Sequence, residues 1–430
     1  MKTSAAVAAG QLISFLSKKL GKGGGSAAPG LYALKLERDL VAKLAKQIPQ
    51  NIIITGTNGK TTTARLLSHL AESQNLKVIR NATGSNLERG VASALLSQTN
   101  LLTGKLKPFD LGIWELDEAA FNDLAPKLQP KIIVFLNVFR DQLDRYGEID
   151  SVVKRWQNSL QQLPKSTTLI INGDDANLLK LTNSFKGKII TFGIADKEHK
   201  IAGEHPGSAT KLNVQAQNIK AKGLAGISFQ LSITNYQLPI TLPIPGIYQV
   251  YNALAAFSVA SLLNLPTHQL VDTIKYFSPA FGRVEKLDFG YIFLIKNPTG
   301  ATQVFQTLAP HLKKDDRLFL ALNDNLADGT DVSWIWDANF EFIRNSSRAK
   351  SRENTIYISG NRAYDLALRL KYAGFNPKQL YINSNLQQAF LHSRAGLKGQ
   401  LFILPTYTAM LELQSILTKQ GIKKKYWEEN

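Results

Sequence analysis

Thr55-Gly56-Thr57-Asn58-Gly59-Lys60-Thr61-Thr62-Thr63 is the stretch on which the reading of this 430-residue chain turns. A short β-branched run, Ile52-Ile53-Ile54, precedes it, and an apolar-periodic stretch from Ala64 to Leu70 follows. The order is strand, loop, helix. Two glycines let the backbone turn sharply, so that amide N–H groups face a phosphate chain. The helix N-terminus adds positive potential. Lys60 is placed to reach the β- and γ-phosphates of such a chain, and the Thr61 hydroxyl to ligate Mg²⁺. The fit to the common pattern G-x-x-x-x-G-K-[ST] is incomplete: Ile54 stands where the first glycine would fall. The plainer alternative is a Gly/Asn turn with a surface lysine.

Around this loop the chain reads as a parallel α/β protein. Short apolar runs predict strands at 111–116, 131–137, 168–171 and 188–192, with helical patterns between several of them. The pattern changes near 211–244. There Ile227, Phe229, Leu231 and Ile233 alternate with polar residues, and Leu238, Ile240, Leu242 and Ile244 do so again after Asn235-Tyr236. This predicts an antiparallel hairpin in or beside the sheet. From 285 onward strands are expected at 291–295, 317–322, 355–358, 379–382 and 400–404, and helices at 301–312, 362–373 and 407–419. That is a second, smaller α/β domain, with the boundary near Gly282-Arg283.

Composition bounds the chemistry. The chain is 44% hydrophobic and 20% charged, enough apolar material for a large core. Lys and Arg number 51 against 33 Asp and Glu, a net charge of +18 that favours an anionic partner. Nucleic acid is not expected, because no basic–aromatic module accompanies the charge. There is no cysteine, which excludes disulfides, thiol nucleophiles and cysteine-held metals. No apolar run approaches the roughly 20 residues of a membrane span. Ala5 to Leu16 loosely imitates a signal-peptide core, but Gln11 and Ser14 interrupt it and Lys18-Lys19 follow in place of a cleavage site. This helix is expected either to dock on the main domain or to rest on a membrane surface. Residues 21–30 (GKGGGSAAPG) read as a Gly-rich connection, and a helical pattern resumes over 31–48.

T-G-T-N-G-K-T-T resembles the ATP loop of the Mur ligase family, which joins carboxylates to amines. Trp114-Glu115-Leu116-Asp117-Glu118 resembles its acidic strand end, and there Glu115 is expected to ligate Mg²⁺. Asn137 to Arg145 resembles its N-V-x-x-D-H-x-D-R segment, with Gln142 where many members carry a metal-binding histidine. The lysine that amino-acid-adding members carbamylate is not evident. Ile171-Asn172-Gly173-Asp174-Asp175, Gly246 to Ala256 (GIYQVYNALAA) and Phe281-Gly282-Arg283 resemble three further family segments. The implied nucleotide-binding set is Gly56, Thr57, Asn58, Gly59, Lys60, Thr61, Thr62, Asn252 and Arg283, with Thr61 and Glu115 on Mg²⁺. An arginine suits phosphate because it binds bidentately.

The second domain narrows the resemblance. Lys296-Asn297-Pro298-Thr299-Gly300, the run Leu322 to Asp337, Ser359 to Ala363 and Leu404 to Ala409 are similar to the MurT branch of the family. So is Phe139 to Asp150. The resemblance implies an α/β fold: a central ATP-binding domain with parallel sheet and antiparallel hairpin, then a smaller Rossmann-like C-terminal domain. The division expected is 1–46 as a helical arm, 47–284 and 285–430. The implied activity is ATP-dependent amidation of the D-glutamate α-carboxylate of lipid II through an acyl phosphate. Ammonia would come from a GatD-type glutamine amidotransferase subunit, the setting would be cytoplasmic, and peripheral contact with the inner face of the membrane is part of the expectation. Lys60 and Glu115 would serve the phosphoryl transfer. Asp331 would orient a histidine of the partner, although by itself it reads as a cap for a helix starting at Ser333. Many MurT relatives carry a four-cysteine zinc ribbon; the corresponding stretch here, roughly 197–225, has no cysteine, so no zinc is expected. The competing readings are an amino-acid-adding ligase, of Mur or folylpolyglutamate type, and a nucleotide-binding scaffold without chemistry.

Overall fold

The computed structural model describes residues 2–19, 27–82, 85–101, 103–139, 149–196, 207, 211–233, 236–278, 284–346 and 355–423. Its larger sheet has nine strands. They are β1 (Gln50–Thr55), β2 (Val78–Arg80), β3 (Leu111–Leu116), β4 (Ile132–Phe135), β5 (Thr168–Asn172), β6 (Lys188–Ile194), β7 (Val214–Ala221), β8 (Ile227–Ile233) and β9 (Tyr236–Leu242). Their spatial order is β2-β3-β1-β4-β5-β6-β7-β8-β9. Pairing is parallel from β2 through β7 and antiparallel from β7 to β9. The expected hairpin is therefore the continuation of the parallel sheet.

Alternation along β1 explains why an unbroken apolar run forms a central strand. Ile52 and Ile54 enter the apolar cluster on one face, and Ile53 enters the cluster on the other. Each buried isoleucine contributes about 1.5–3 kcal/mol relative to exposure. β1 lies between β3 and β4, where the strand order reverses. A crevice opens at such a switch point, outside the carboxyl ends of the strands.

The N-terminal helices α1 (Lys2–Lys19), α2 (Ala28–Leu36) and α3 (Leu40–Ala45) join the same core as β1: Ala6, Val7, Ala33 and Leu40 cluster with Ile53 and Trp114. One expectation is corrected here. The Gly-rich connection does not run to residue 30, because α2 already starts at Ala28. Pro29 suits a first helical turn. Gly30 lets α2 touch the helix Glu88–Ser97: a Cβ there would lie 2.0 Å from the Arg89 carbonyl oxygen.

The second sheet comprises β10 (Glu285–Leu287), β11 (Gly290–Ile292), β12 (Arg317–Ala321), β13 (Ile356–Ser359), β14 (Leu380–Ile382) and β15 (Leu401–Pro405), in the order β10-β11-β15-β12-β13-β14. Only β10 and β11 pair antiparallel. Phe293 N and Ile295 N still donate to Ile403 O and Pro405 O, so the ladder continues over the 291–295 expected from sequence. The helices Pro298–Leu308, Ala363–Tyr372 and Tyr407–Lys419 fall where the periodicity placed them.

Candidate active site

The loop after β1 takes a tight, well-braced form. Gly56 and Gly59 have φ of +132° and +89°. A Cβ on Gly59 would meet Asn252 Oδ1 at 2.2 Å, and one on Gly56 would meet the Asn137 carbonyl oxygen at 2.7 Å. Both positions therefore need glycine for conformation and for space. Asn137 clamps the turn: Thr57 N donates to its carbonyl (3.0 Å), Asn58 N to its Oδ1 (2.8 Å), and its Nδ2 donates to Asn58 O (3.0 Å). The helix Lys60–Glu72 starts at once, so its first N–H groups lie at the loop.

Lys60 is buried. Its Nζ donates to Gly56 O (2.5 Å) and Thr57 O (3.3 Å) and is ion-paired with Asp117 (3.5 Å) and Glu118 (3.7 Å). Thr61 Oγ1 donates to Glu115 Oε2 at 2.8 Å, and Glu115 is buried at the end of β3 beside β1. Asn81 fixes the Glu115 backbone in both directions, at 2.9 Å each. Thr63 Oγ1 donates to Asn252 Oδ1 (3.3 Å), and Asn252 Nδ2 to Gln249 Oε1 (2.9 Å), which brings the helix Tyr248–Leu262 to the loop. Gly56, Thr57, Asn58, Gly59, Lys60 and Thr61 thus share one loop and helix start, Glu115 and Asn252 are hydrogen-bonded to that helix start, and Asn58, Gly59, Thr62 and Asn252 line a cavity beside it. Arg283 and Gln142 lie outside the described residues.

Sequence reasoning passed over Asp117 and Glu118 as partners of Lys60, although both stood in the quoted acidic turn. It also missed a contact across the two sheets. Asn58 Nδ2 donates to Asn297 Oδ1 (3.2 Å), and Asn297 Nδ2 donates to Asn58 Oδ1 (3.0 Å). Lys296 Nζ reaches Thr57 O at 3.4 Å. Asn297 is fully buried and caps the helix Pro298–Leu308 through Gly300 N (2.8 Å). Beside this contact lies a cleft of about 250 Å³ lined by Phe139, Thr299, Thr302, Gln303 and Asp337. No sequence spacing announces a pair 239 residues apart.

Asp331 sits elsewhere, exposed, in the loop after β12. Its Oδ1 accepts from Ser333 N at 2.8 Å, an i to i+2 bond just ahead of the short 3₁₀ turn Ser333–Trp336, whose N-cap is Val332 and carries no side-chain cap bond. That loop is braced by Asp328, which accepts from Thr408 N (2.8 Å) and Thr408 Oγ1 (2.5 Å) in the first turn of the helix Tyr407–Lys419. Burial pushes the Asp328 carboxyl above its ordinary range, against the opposing pull of the Thr408 bonds.

Among the described residues no group of three or more His, Asp or Glu could hold a metal by itself. A Thr–Glu pair beside a phosphate loop still fits Mg²⁺, which is usually bound by one or two carboxylates together with phosphate oxygens and water.

Two α/β units, with a phosphate loop at the switch point of the first, make a Mur-ligase-type fold, and solved structures share it. MurF from Acinetobacter baumannii matches with a TM-score of 0.69 at 18% identity, over 92% of this chain and 81% of that one. MurF from Thermotoga maritima, solved in complex with ADP, matches with 0.64 at 14%, over 90% and 85%. Residues 54–260 match the Mur ligase middle domain and residues 294–410 the MurT ligase C-terminal family. The lipid II isoglutaminyl synthase (glutamine-hydrolyzing) subunit MurT of Streptococcus pneumoniae is 30% identical over 99% of both chains; that of Staphylococcus aureus is 28% identical over 97% of this chain and 98% of its own. The chain belongs to the MurT family.

Proposed function

We propose that this chain is the ATP-consuming subunit of a two-protein enzyme that amidates the D-glutamate α-carboxylate of lipid II. The observation that carries the reading is end-to-end similarity to the pneumococcal MurT subunit, over 99% of both chains. The crevice geometry supports it. A carboxylate is a poor acylating group. Attack of its oxygen on the γ-phosphorus of ATP gives an acyl phosphate and ADP. Ammonia then adds to the acyl carbon, the C–O bond to phosphate breaks, inorganic phosphate leaves and the nitrogen sheds a proton. Lys60, released from the Gly56 and Thr57 carbonyls, spreads the charge of the transferring phosphoryl group. The amides at the start of the Lys60–Glu72 helix face the phosphates. Thr61 and Glu115 would hold Mg²⁺, which supplies charge neutralisation at the β- and γ-phosphates. Arg283 is a further phosphate contact on this reading.

The chain has no cysteine, so it cannot hydrolyse glutamine through a thiol. A second subunit of GatD type supplies the ammonia, and Asp331, exposed on its loop, orients the imidazole of that subunit. The setting is the cytoplasmic side of the membrane that carries lipid II.

The test uses lipid II, ATP and either ammonium or glutamine. The chain alone should form amide with ammonium, and with glutamine only when the amidotransferase is added. Lys60→Ala should abolish both routes, and Asp331→Asn the glutamine route alone. Equal loss of both routes in the Asp331 variant would refute this division of labour. Product formed with a free amino acid in place of ammonia would point to an amino-acid-adding ligase, and ATP binding without turnover to a scaffold.

A further inference from the structure

The first two helices bury one face and leave another bare. Ala6, Val7 and Gly10 of α1 are buried, and Gln11 Nε2 donates to Leu96 O and Thr99 O at 3.0 and 2.6 Å. This packing fixes how α1 is turned. Ala5, Ala8, Leu12, Phe15 and Leu16 consequently form an exposed stripe at helical spacing. On α2 the residues Leu31, Tyr32 and Leu36 are exposed in the same manner. The six large side chains of the two helices are 41–62% exposed. They make up about a third of the seventeen large hydrophobic residues that lie exposed among the described residues, within the first 36 positions of the sequence.

The charge of this segment has one sign. Residues 1–36 contain five lysines, at 2, 18, 19, 22 and 35, and no aspartate or glutamate. Lys35 Nζ lies 5.1 Å from the centre of the Tyr32 ring, so a cation and an aromatic ring sit side by side on the exposed face of α2. An exposed apolar stripe in a segment whose charged residues are all lysines is complementary to a surface that is apolar below and anionic above. A protein partner with an acidic rim would match the charge, but the stripe offers no polar group at its centre to fix an orientation. At about 1.5 Å per residue the 18 residues of α1 make a rod of about 27 Å, and among the described residues no helix is long and apolar enough to cross a membrane.

We infer that α1 and α2 form a preset membrane-surface anchor whose ligand is an anionic lipid bilayer, with Leu12, Phe15 and Leu16 seated at the headgroup boundary. The inference stands on these helices and not on the proposed reaction, although an acceptor carried on a lipid would be met at the same surface.

The experiment is co-sedimentation of the full chain with vesicles of phosphatidylglycerol and phosphatidylcholine, without nucleotide or acceptor. Binding should be strong on mixed anionic vesicles and about tenfold or more weaker on pure phosphatidylcholine or at high salt. Phe15→Ser with Leu16→Ser keeps every charge and should lower binding by about tenfold or more. Leu31→Ser with Leu36→Ser, on the other helix, should do the same if the first pair unfolds α1. Absence of binding to anionic vesicles, or binding that both pairs leave unchanged, would overturn the inference. So would a chain that is dimeric without lipid and becomes monomeric in the Phe15→Ser, Leu16→Ser variant, because the stripe would then be covered by a second copy. A chain that binds vesicles yet amidates nothing would count against the reaction and not against the anchor.

Discussion

Gly59 shows how one residue sets the phosphate loop. Its φ of +89° lies where a side chain costs about 1–2 kcal/mol. Its missing Cβ also leaves room for Asn252 Oδ1, which accepts from Thr63 Oγ1 while Asn252 Nδ2 donates to Gln249 Oε1. Gly59→Ala should therefore destabilise the chain by about 1–3 kcal/mol and remove the stabilisation that an ATP analogue confers on the folded protein. Thermal melts with and without the analogue measure both. A variant whose melting temperature still rises with nucleotide would show that the loop tolerates the methyl group. At this scale much of the site was legible. Lys60 and Thr61 carry chemistry that a strand–loop–helix context makes readable, Glu115 was named only through the family resemblance, and the structure brings Glu115 onto Thr61. The ion pairs of Lys60 with Asp117 and Glu118 were not legible, because a lysine meant for phosphate is not expected to rest on carboxylates.

At the scale of elements, the crossing of α2 with the helix Glu88–Ser97 sets two effects against each other. Replacing a helical glycine by alanine normally stabilises by about 1 kcal/mol. At Gly30 the new Cβ would lie 2.0 Å from Arg89 O and 2.8 Å from Ser93 N, and both atoms are backbone that cannot swing aside. Gly30 N also donates to Ser93 Oγ at 2.8 Å, a bond that a shifted helix would lose. The contact outweighs the propensity, so Gly30→Ala should lower stability by about 1–3 kcal/mol, read from the urea midpoint. A stabilised variant would mean that the two helices are free to part. The same residue explains a misreading. Gly, Ser and Pro in GKGGGSAAPG look like a linker by composition, whereas Pro29 and Gly30 serve a helix start and a close contact. Long apolar strands were readable because they fill both faces of a sheet. β2 and β10, with three residues each, carry no period and could be found only through their neighbours.

At the scale of the molecule, the two sheets meet where Asn58 and Asn297 exchange two amide hydrogen bonds and Lys296 reaches over to Thr57 O. On the proposed reaction this contact joins the loop that binds ATP to the unit that presents Asp331. Exchanged bonds of this kind couple residues by about 0.5–3 kcal/mol. Asn297 does more than Asn58, because its Oδ1 also caps the helix Pro298–Leu308. Asn297→Ala should thus cost about 1–3 kcal/mol by itself, as the sum of a lost cap and a lost buried partner. Asn58→Ala, which leaves the cap intact, should cost less. A double-mutant cycle separates the terms: the cap cancels, and the coupling left over, about 1–2 kcal/mol, belongs to the amide pair. The cycle should be run twice, on urea stability and on ammonium-driven amidation. If the pair only fastens the two units, stability shows the coupling and the rate falls with the population of joined molecules. If Asn58 also has to be held still for phosphate, the single variants lose rate beyond what their stability explains, and saturating ATP does not restore it. A coupling within error of zero in both measurements would leave the two sheets as independent neighbours and remove the physical route from the ATP loop to the partner-facing loop.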